Sequence, residues 1–252
     1  GFGLAPIIIT QVQLWYDWQG VAVLSICMFA VSSLLLFNAP NHHKRMSHEK
    51  LKQEWFECFK ALKKIPVIPQ LLMAAILGYL MMGPMQVILP QIADTQLGLN
   101  PQEKGQYLGL IALSLILGGI AAMKLKNLVP IGRTILVLLF MCGVSLILIG
   151  AISNVWVSCF VLIIGTTFAG VVVSFIVAGL QHFTPVFIRG RVMSISPIIS
   201  QVVSAMAGVL AGAIAQGLNV PSSLFVIGLL FVVATVILMV RGKHLTGFKT
   251  FN

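Results

Sequence analysis

Apolar residues in this chain come in long, nearly unbroken runs. They show neither the alternation of half-buried strands nor the one-sided stripe of a surface helix. A helix that crosses a bilayer needs ~20 largely apolar residues. Seven runs meet that length, at about 19–38, 69–92, 105–125, 133–152, 155–181, 193–216 and 221–241. Turn signals separate them: Asn38 to Pro40, Gly98 to Pro101, Asn127 to Gly132, Ser153-Asn154, and Asn219 to Pro221. The opening stretch, 1–13, is also apolar and reads as the last half of an eighth helix, so the N-terminal part of the protein is expected to be missing. The predicted fold class is an all-α integral membrane bundle with about seven full spans and a partial helix at its start.

Charge placement tests that count. With the segment 39–68 on the cytoplasmic side, strict alternation puts 124–133, 182–192 and the tail from 241 there as well. Those segments hold fifteen of the sixteen lysines and arginines; only Lys104 falls outside. The opposite side takes Asp17, Asp94 and Glu103. Basic residues are retained on the cytoplasmic side, so the C-terminus is expected to be cytoplasmic and the protein multi-pass in the cytoplasmic (inner or plasma) membrane. No Asp, Glu, Lys or Arg falls deep within a predicted span. Such residues usually mark proton relays and ion sites, so any coupling carboxylate is expected outside this chain.

Composition agrees with this picture. Of 252 residues 58% are hydrophobic and 9% charged, against about 25% charged in soluble domains. The formal charge of +10 would suggest nucleic acid in a soluble protein. Here the cations sit between apolar runs and fit the anionic inner leaflet instead, so lipid rather than nucleic acid is the expected partner. Cys27, Cys58, Cys142 and Cys159 lack metal-ligand spacing and read as free thiols. No metal, cofactor or catalytic residue is expected. Within 39–68, Leu51, Trp55, Phe59 and Leu62 recur at helical spacing among lysines, as in an amphipathic helix lying on the inner leaflet. A solvated charged linker is the alternative. His42, His43 and His48 share this loop with Glu49, Glu54 and Glu57, without a spacing that builds a metal or enzyme site.

With the spans placed, the layout resembles the major facilitator superfamily, from the end of its fifth helix through its twelfth. The stretch from Phe59 to Pro69 resembles the lead-in to helix seven of exporter-type members. Pro185 to Ser194, containing Arg189-Gly190-Arg191, resembles the loop before helix eleven, and Gly208 to Gly212 that helix's small-residue run. The drug and macrolide efflux-like branch is the most similar. One departure is local: the family's Gly-x-x-x-Asp-Arg-x-Gly-Arg loop is matched at Gly132-Arg133, but Val129 and Pro130 replace its Asp-Arg pair. Lys124 to Lys126 in the same loop is similar to lysophospholipid transporters of the superfamily.

The resemblance implies two six-helix bundles joined by the basic linker. Residues 1–38 would end the N-terminal bundle (partial helix five, helix six), 39–68 would be the linker, 69–241 the C-terminal bundle and 242–252 the tail. The missing N-terminal bundle would then be the principal partner. It also implies that helices seven and ten line a central cavity. The candidate solute contacts are therefore Tyr79 and Gln86 on helix seven, and Thr166, Thr167 and Ser174 on helix ten, where 166, 170 and 174 share one face. Gln201, with Ser200 and Ser204, is a further candidate on helix eleven. Gly83-Pro84 reads as a hinge, because proline removes a backbone donor. Gly132, Arg133, Arg189, Gly190 and Arg191 read as conformational loop residues. Each has a plainer reading: spanning hydroxyls often bond their own helix, loop arginines set topology, and Gly208/Gly212 and Gly105/Gly109 pack helices closely. The expected function is secondary active transport, in the efflux direction, of a small amphipathic organic solute by alternating access. A lipid or lysophospholipid substrate is the alternative. A seven-helix receptor or scaffold, permitted by the span count, and a membrane-embedded enzyme are the other classes weighed.

Overall fold

The computed structural model describes residues 5–37, 65 and 67–242. The expected amphipathic helix of the linker lies outside the described residues, as does the tail from 243. All regular structure among the described residues is helical. The elements are α1 (Ala5–Phe37), α2 (Val67–Thr95), α3 (Pro101–Leu125), α4 (Ile131–Ala151), α5 (Val155–Phe183), α6 (Val186–Gly217) and α7 (Val220–Arg241). The last six are each long and apolar enough to cross a membrane.

Local chemistry sets the helix ends. α2 closes at Gly98, whose φ of 62° lies in the left-handed region that glycine tolerates; the Leu99 N–H reaches back to the Ala93 carbonyl at 2.9 Å. Asn100 and Glu103 then form a reciprocal capping box, with Pro101 at the helix start, where its missing N–H costs nothing. Asn154 caps α5 by accepting from the N–H groups of Trp156 and Val157. Polar turn residues are therefore spent on the free donors of helix N-termini.

Two boundaries differ from expectation. The stub 1–13 and the span 19–38, expected as separate helices, are joined over the described residues, because α1 runs unbroken from Ala5 to Phe37. Polar and aromatic residues there interrupt the apolar run, but Gln11 to Gln19 contains neither Pro nor Gly to interrupt the backbone. The segment 186–192, expected as loop, is the start of α6. Arginine lowers hydropathy yet is a good helix former, and Pro185 at the N-cap leaves the helix free to begin at Val186.

The helices pack with α2 at the centre, in contact with each of α3 to α7, while α1 lies against α3. The closest pairs are α3 with α5, α2 with α6, and α4 with α7. Lipid tails give no hydrophobic drive between helices, so close backbone approach must hold them. At the α2–α6 crossing, a Cβ on Gly83 would lie 2.5 Å from the Ser204 carbonyl oxygen and 2.7 Å from the Ala207 carbonyl carbon. At the α3–α5 crossing, one on Gly170 would lie 2.6 Å from the Leu115 carbonyl oxygen. The core forms where α2, α4 and α5 meet, around Leu71, Ile88, Ile92, Ile135, Leu139, Leu146, Leu162 and Phe175.

Side-chain bonds identify which helix ends share a side. Gln96, just past α2, donates to the Ile152 carbonyl at the end of α4, at 2.8 Å. Tyr107 and Ser158, near the starts of α3 and α5, share a buried hydrogen bond of 2.8 Å. Ser223 near the start of α7 donates to Ile214 near the end of α6. Asp94 and Lys104 form an ion pair at this same end, so the one lysine outside the basic segments is neutralised. Lys124, Lys126, Arg133, Arg189, Arg191 and Arg241 occupy the opposite, basic end.

A candidate solute cavity between three helices

Near the middle of the bundle, α2, α3 and α6 line a half-open cavity of about 360 Å³, at which Gln86 and Gln201 are exposed. Tyr79, Met82, Met85, Gln86 and Pro90 come from α2, Leu108, Ile111 and Leu115 from α3, and Ser200, Gln201 and Ser204 from α6. Helical periodicity explains the grouping. Positions 79, 82, 86 and 90 share one face of α2, and 108, 111 and 115 one face of α3. Pro90 cannot donate to the Gln86 carbonyl, so one α2 carbonyl loses its intrahelical partner beside this space; Pro84 does the same to Leu80, but both of those line a separate apolar cavity. α2 nonetheless stays helical through both prolines.

The polar atoms divide into two groups. The Ser204 hydroxyl donates to the Tyr79 carbonyl at 3.1 Å, tying α6 to α2. The Ser200 hydroxyl donates to the Pro197 carbonyl at 2.7 Å. By contrast, the side chains of Tyr79, Gln86 and Gln201 have no hydrogen-bond partner among the described residues. Phenol and amide groups in an otherwise apolar wall can both donate and accept. Among the described residues, no charged side chain lines the cavity. Such a space suits a neutral or amphipathic molecule carrying a few hydrogen-bonding groups.

The structure thus brings together Tyr79, Gln86 and Gln201, from two helices. It does not bring the α5 residues to them. Thr166 is buried and its hydroxyl donates to the Leu162 carbonyl at 2.6 Å. Thr167 lies at the α3–α5 contact, its carbonyl against Gly118. Ser174 donates to the Gly170 carbonyl at 2.8 Å and opens onto a different crevice, between α3 and α5. Gly83 and Pro84 are buried, Gly83 against the α6 backbone. Gly132 is buried and Arg133 exposed in the first turn of α4; Arg189 and Gly190 are exposed and Arg191 is half-buried in the first turns of α6. Sequence reasoning passed over the apolar lining, although the methionines and α3 aliphatics recur at helical spacing. It also missed the Tyr107–Ser158 bond, for which no local signal exists.

Six apolar spans, three of which line a mid-depth, polar-flecked cavity, define an integral, multi-pass membrane protein. The chain belongs to the Major Facilitator Superfamily, whose family model matches residues 1–208, and membrane transport is that family's activity. Among solved structures, the chain is similar to a bacterial homologue of the human lysosomal transporter Spinster, in an inward-facing and unoccupied conformation. That similarity has a TM-score of 0.56 at 15% identity and covers 91% of this chain but 58% of the other. No curated protein sequence matches the chain.

Proposed function

We propose that the chain forms the solute-binding C-terminal bundle, with part of the preceding one, of a secondary active exporter for small amphipathic organic molecules, of the drug and macrolide efflux-like kind. The observation that carries this reading is the cavity in which Tyr79, Gln86 and Gln201 present unpartnered polar groups within an apolar wall. The solute sits between α2 and α6, and a second bundle closes over it in alternating access. The basic end faces the cytoplasm, by the retention of positive charge on that side, which puts the C-terminus inside. Gly83-Pro84 is the flexing point of α2, and Arg133, Arg189 and Arg191 make end-to-end contacts that hold one conformation. The protein acts as a carrier and not as an enzyme.

The test is made in the source cell. Deleting the gene should slow the efflux of Nile red, a neutral amphipathic dye, and of erythromycin; re-expression should restore both. A Gln86→Leu, Gln201→Leu version should restore only part. Each lost neutral hydrogen bond costs about 0.5–1.5 kcal/mol, or roughly 2–10-fold in the apparent KM. Efflux indifferent to the deletion would overturn the proposal. Full restoration by the double variant would move the solute site elsewhere.

A further inference from the structure

Among the described residues, three prolines lie inside the helices beyond a first turn: Pro84 and Pro90 in α2, and Pro197 in α6. Each withholds an N–H from the carbonyl four residues before it. The orphaned carbonyls belong to Leu80, Gln86 and Met193. Leu80 and Pro84 line the separate apolar cavity between α2, α4, α6 and α7, and neither Met193 nor Pro197 lines the solute cavity. Gln86 and Pro90 both do. In an α-helix a carbonyl points along the axis at the residue four positions on, so the Gln86 main-chain oxygen stands between two cavity-lining positions. Gln86 is exposed there. The two serine hydroxyls of the wall are engaged elsewhere, Ser204 with the Tyr79 carbonyl and Ser200 with that of Pro197.

This carbonyl differs in kind from the other polar groups of the wall. Phenol and primary amide side chains each donate and accept, so Tyr79, Gln86 and Gln201 can turn to suit a solute of either sense. A main-chain carbonyl accepts only, and the helix fixes its place. Among the described residues no carboxylate lines the wall. An ammonium buried there would therefore go unpaired, and the fitting donor is a neutral one. We infer that the Gln86 main-chain carbonyl, freed by Pro90, sets the solute preference of the cavity. It favours a molecule whose apolar body carries a neutral hydroxyl or amide N–H over the same body with that donor masked. The inference rests on the exporter reading and sharpens it, from amphipathic solutes in general to hydrogen-bond donors.

The test is efflux from source cells in which the deleted gene is replaced by the full-length wild type or a variant. Two probes are compared: Nile red bearing a 2-hydroxyethoxy group, and the same dye with that hydroxyl methylated. The readout is the ratio of their apparent KM values, in which changes common to both dyes cancel. Wild type should favour the hydroxyl dye by about 2–10-fold, the contribution of one neutral hydrogen bond. P90A restores the backbone N–H to Gln86 and should bring the ratio to about one, with the apparent Tm held or raised because a helix bond is regained. P84A restores the Leu80 bond beside the other cavity and should keep the wild-type ratio, even if both values move together. Q86L removes the side chain but leaves the carbonyl, so it should weaken both dyes and also keep the ratio. Wild type without preference, or P90A with the full preference, would overturn the inference while the exporter reading stands. Loss of preference in Q86L would give the choice to the side-chain amide, and loss in P84A would trace it to helix shape; either would overturn the inference. Wild type and Q86L decide the matter even where P90A fails to accumulate in the membrane. If efflux of neither dye depends on the gene, the exporter reading is overturned and this inference falls with it.

Discussion

Gly83 and Gly208 face each other across the α2–α6 crossing, yet the structure predicts opposite responses to the same substitution. A Cβ on Gly83 would meet backbone, 2.5 Å from the Ser204 oxygen and 2.7 Å from the Ala207 carbon, and backbone cannot rotate away. A Cβ on Gly208 would meet the Val87 Cγ2 at 3.4 Å, a methyl that can shift by a few tenths of an ångström. Overpacking costs about 1–3 kcal/mol, whereas replacing a helical glycine by alanine gains up to about 1 kcal/mol. Gly83→Ala should therefore destabilise by about 1–2 kcal/mol net, and Gly208→Ala should be neutral or slightly stabilising. At roughly 2–4 °C per kcal/mol for a chain of this size, the apparent Tm should fall by about 2–8 °C in the first variant. In the second it should hold or rise by up to about 4 °C. The assay is loss of the monodisperse peak on size exclusion after heating in detergent, at one fixed heating rate because such unfolding is irreversible. Equal shifts, or a larger loss for Gly208→Ala, would refute the backbone-contact argument.

Two further outcomes follow from polar contacts. Ser158→Ala leaves the buried Tyr107 hydroxyl without its partner and should cost about 1–3 kcal/mol; adding Tyr107→Phe should recover part of that loss in the same thermal assay, and no recovery would mean that the bond contributes little. The Asp94–Lys104 pair is 50% and 28% exposed, so Asp94→Asn should cost under about 1 kcal/mol, with an effect that shrinks further as salt is raised.

Much of the fold is legible in the sequence because lipid imposes a length rule on apolar runs. α7, expected over 221–241, begins one residue earlier, at Val220, and the turns at Gly98 to Pro101, Ser153-Asn154 and Asn219 lie where one described helix gives way to the next. What fails does so for a physical reason. Hydropathy reports where a helix meets lipid, whereas the backbone stops only for a breaker or a cap. Hence Arg189 and Arg191 are helical, and α1 continues through a polar patch. The cavity is legible in part. Tyr79, Gln86 and Gln201 are polar groups in spans whose periodic faces do converge. Thr166 and Ser174 have the same periodicity, but a shared face does not say which neighbour it meets, and both hydroxyls turn back to their own carbonyls. Tyr107 and Ser158 are 51 positions apart, and only the packing of α3 on α5 joins them.

The placement of charge has an electrical consequence. Along α2 to α7 every Asp, Glu, Lys and Arg lies at a helix end: Asp94, Glu103 and Lys104 at one side, and Lys124, Lys126, Arg133, Arg189, Arg191 and Arg241 at the other. A membrane potential does work only on charge that moves through the hydrocarbon layer, about 2.3 kcal/mol per elementary charge per 100 mV. Tilting these six helices carries no fixed charge across that layer. These six spans are therefore electrically silent, and any voltage dependence would have to come from charge outside them.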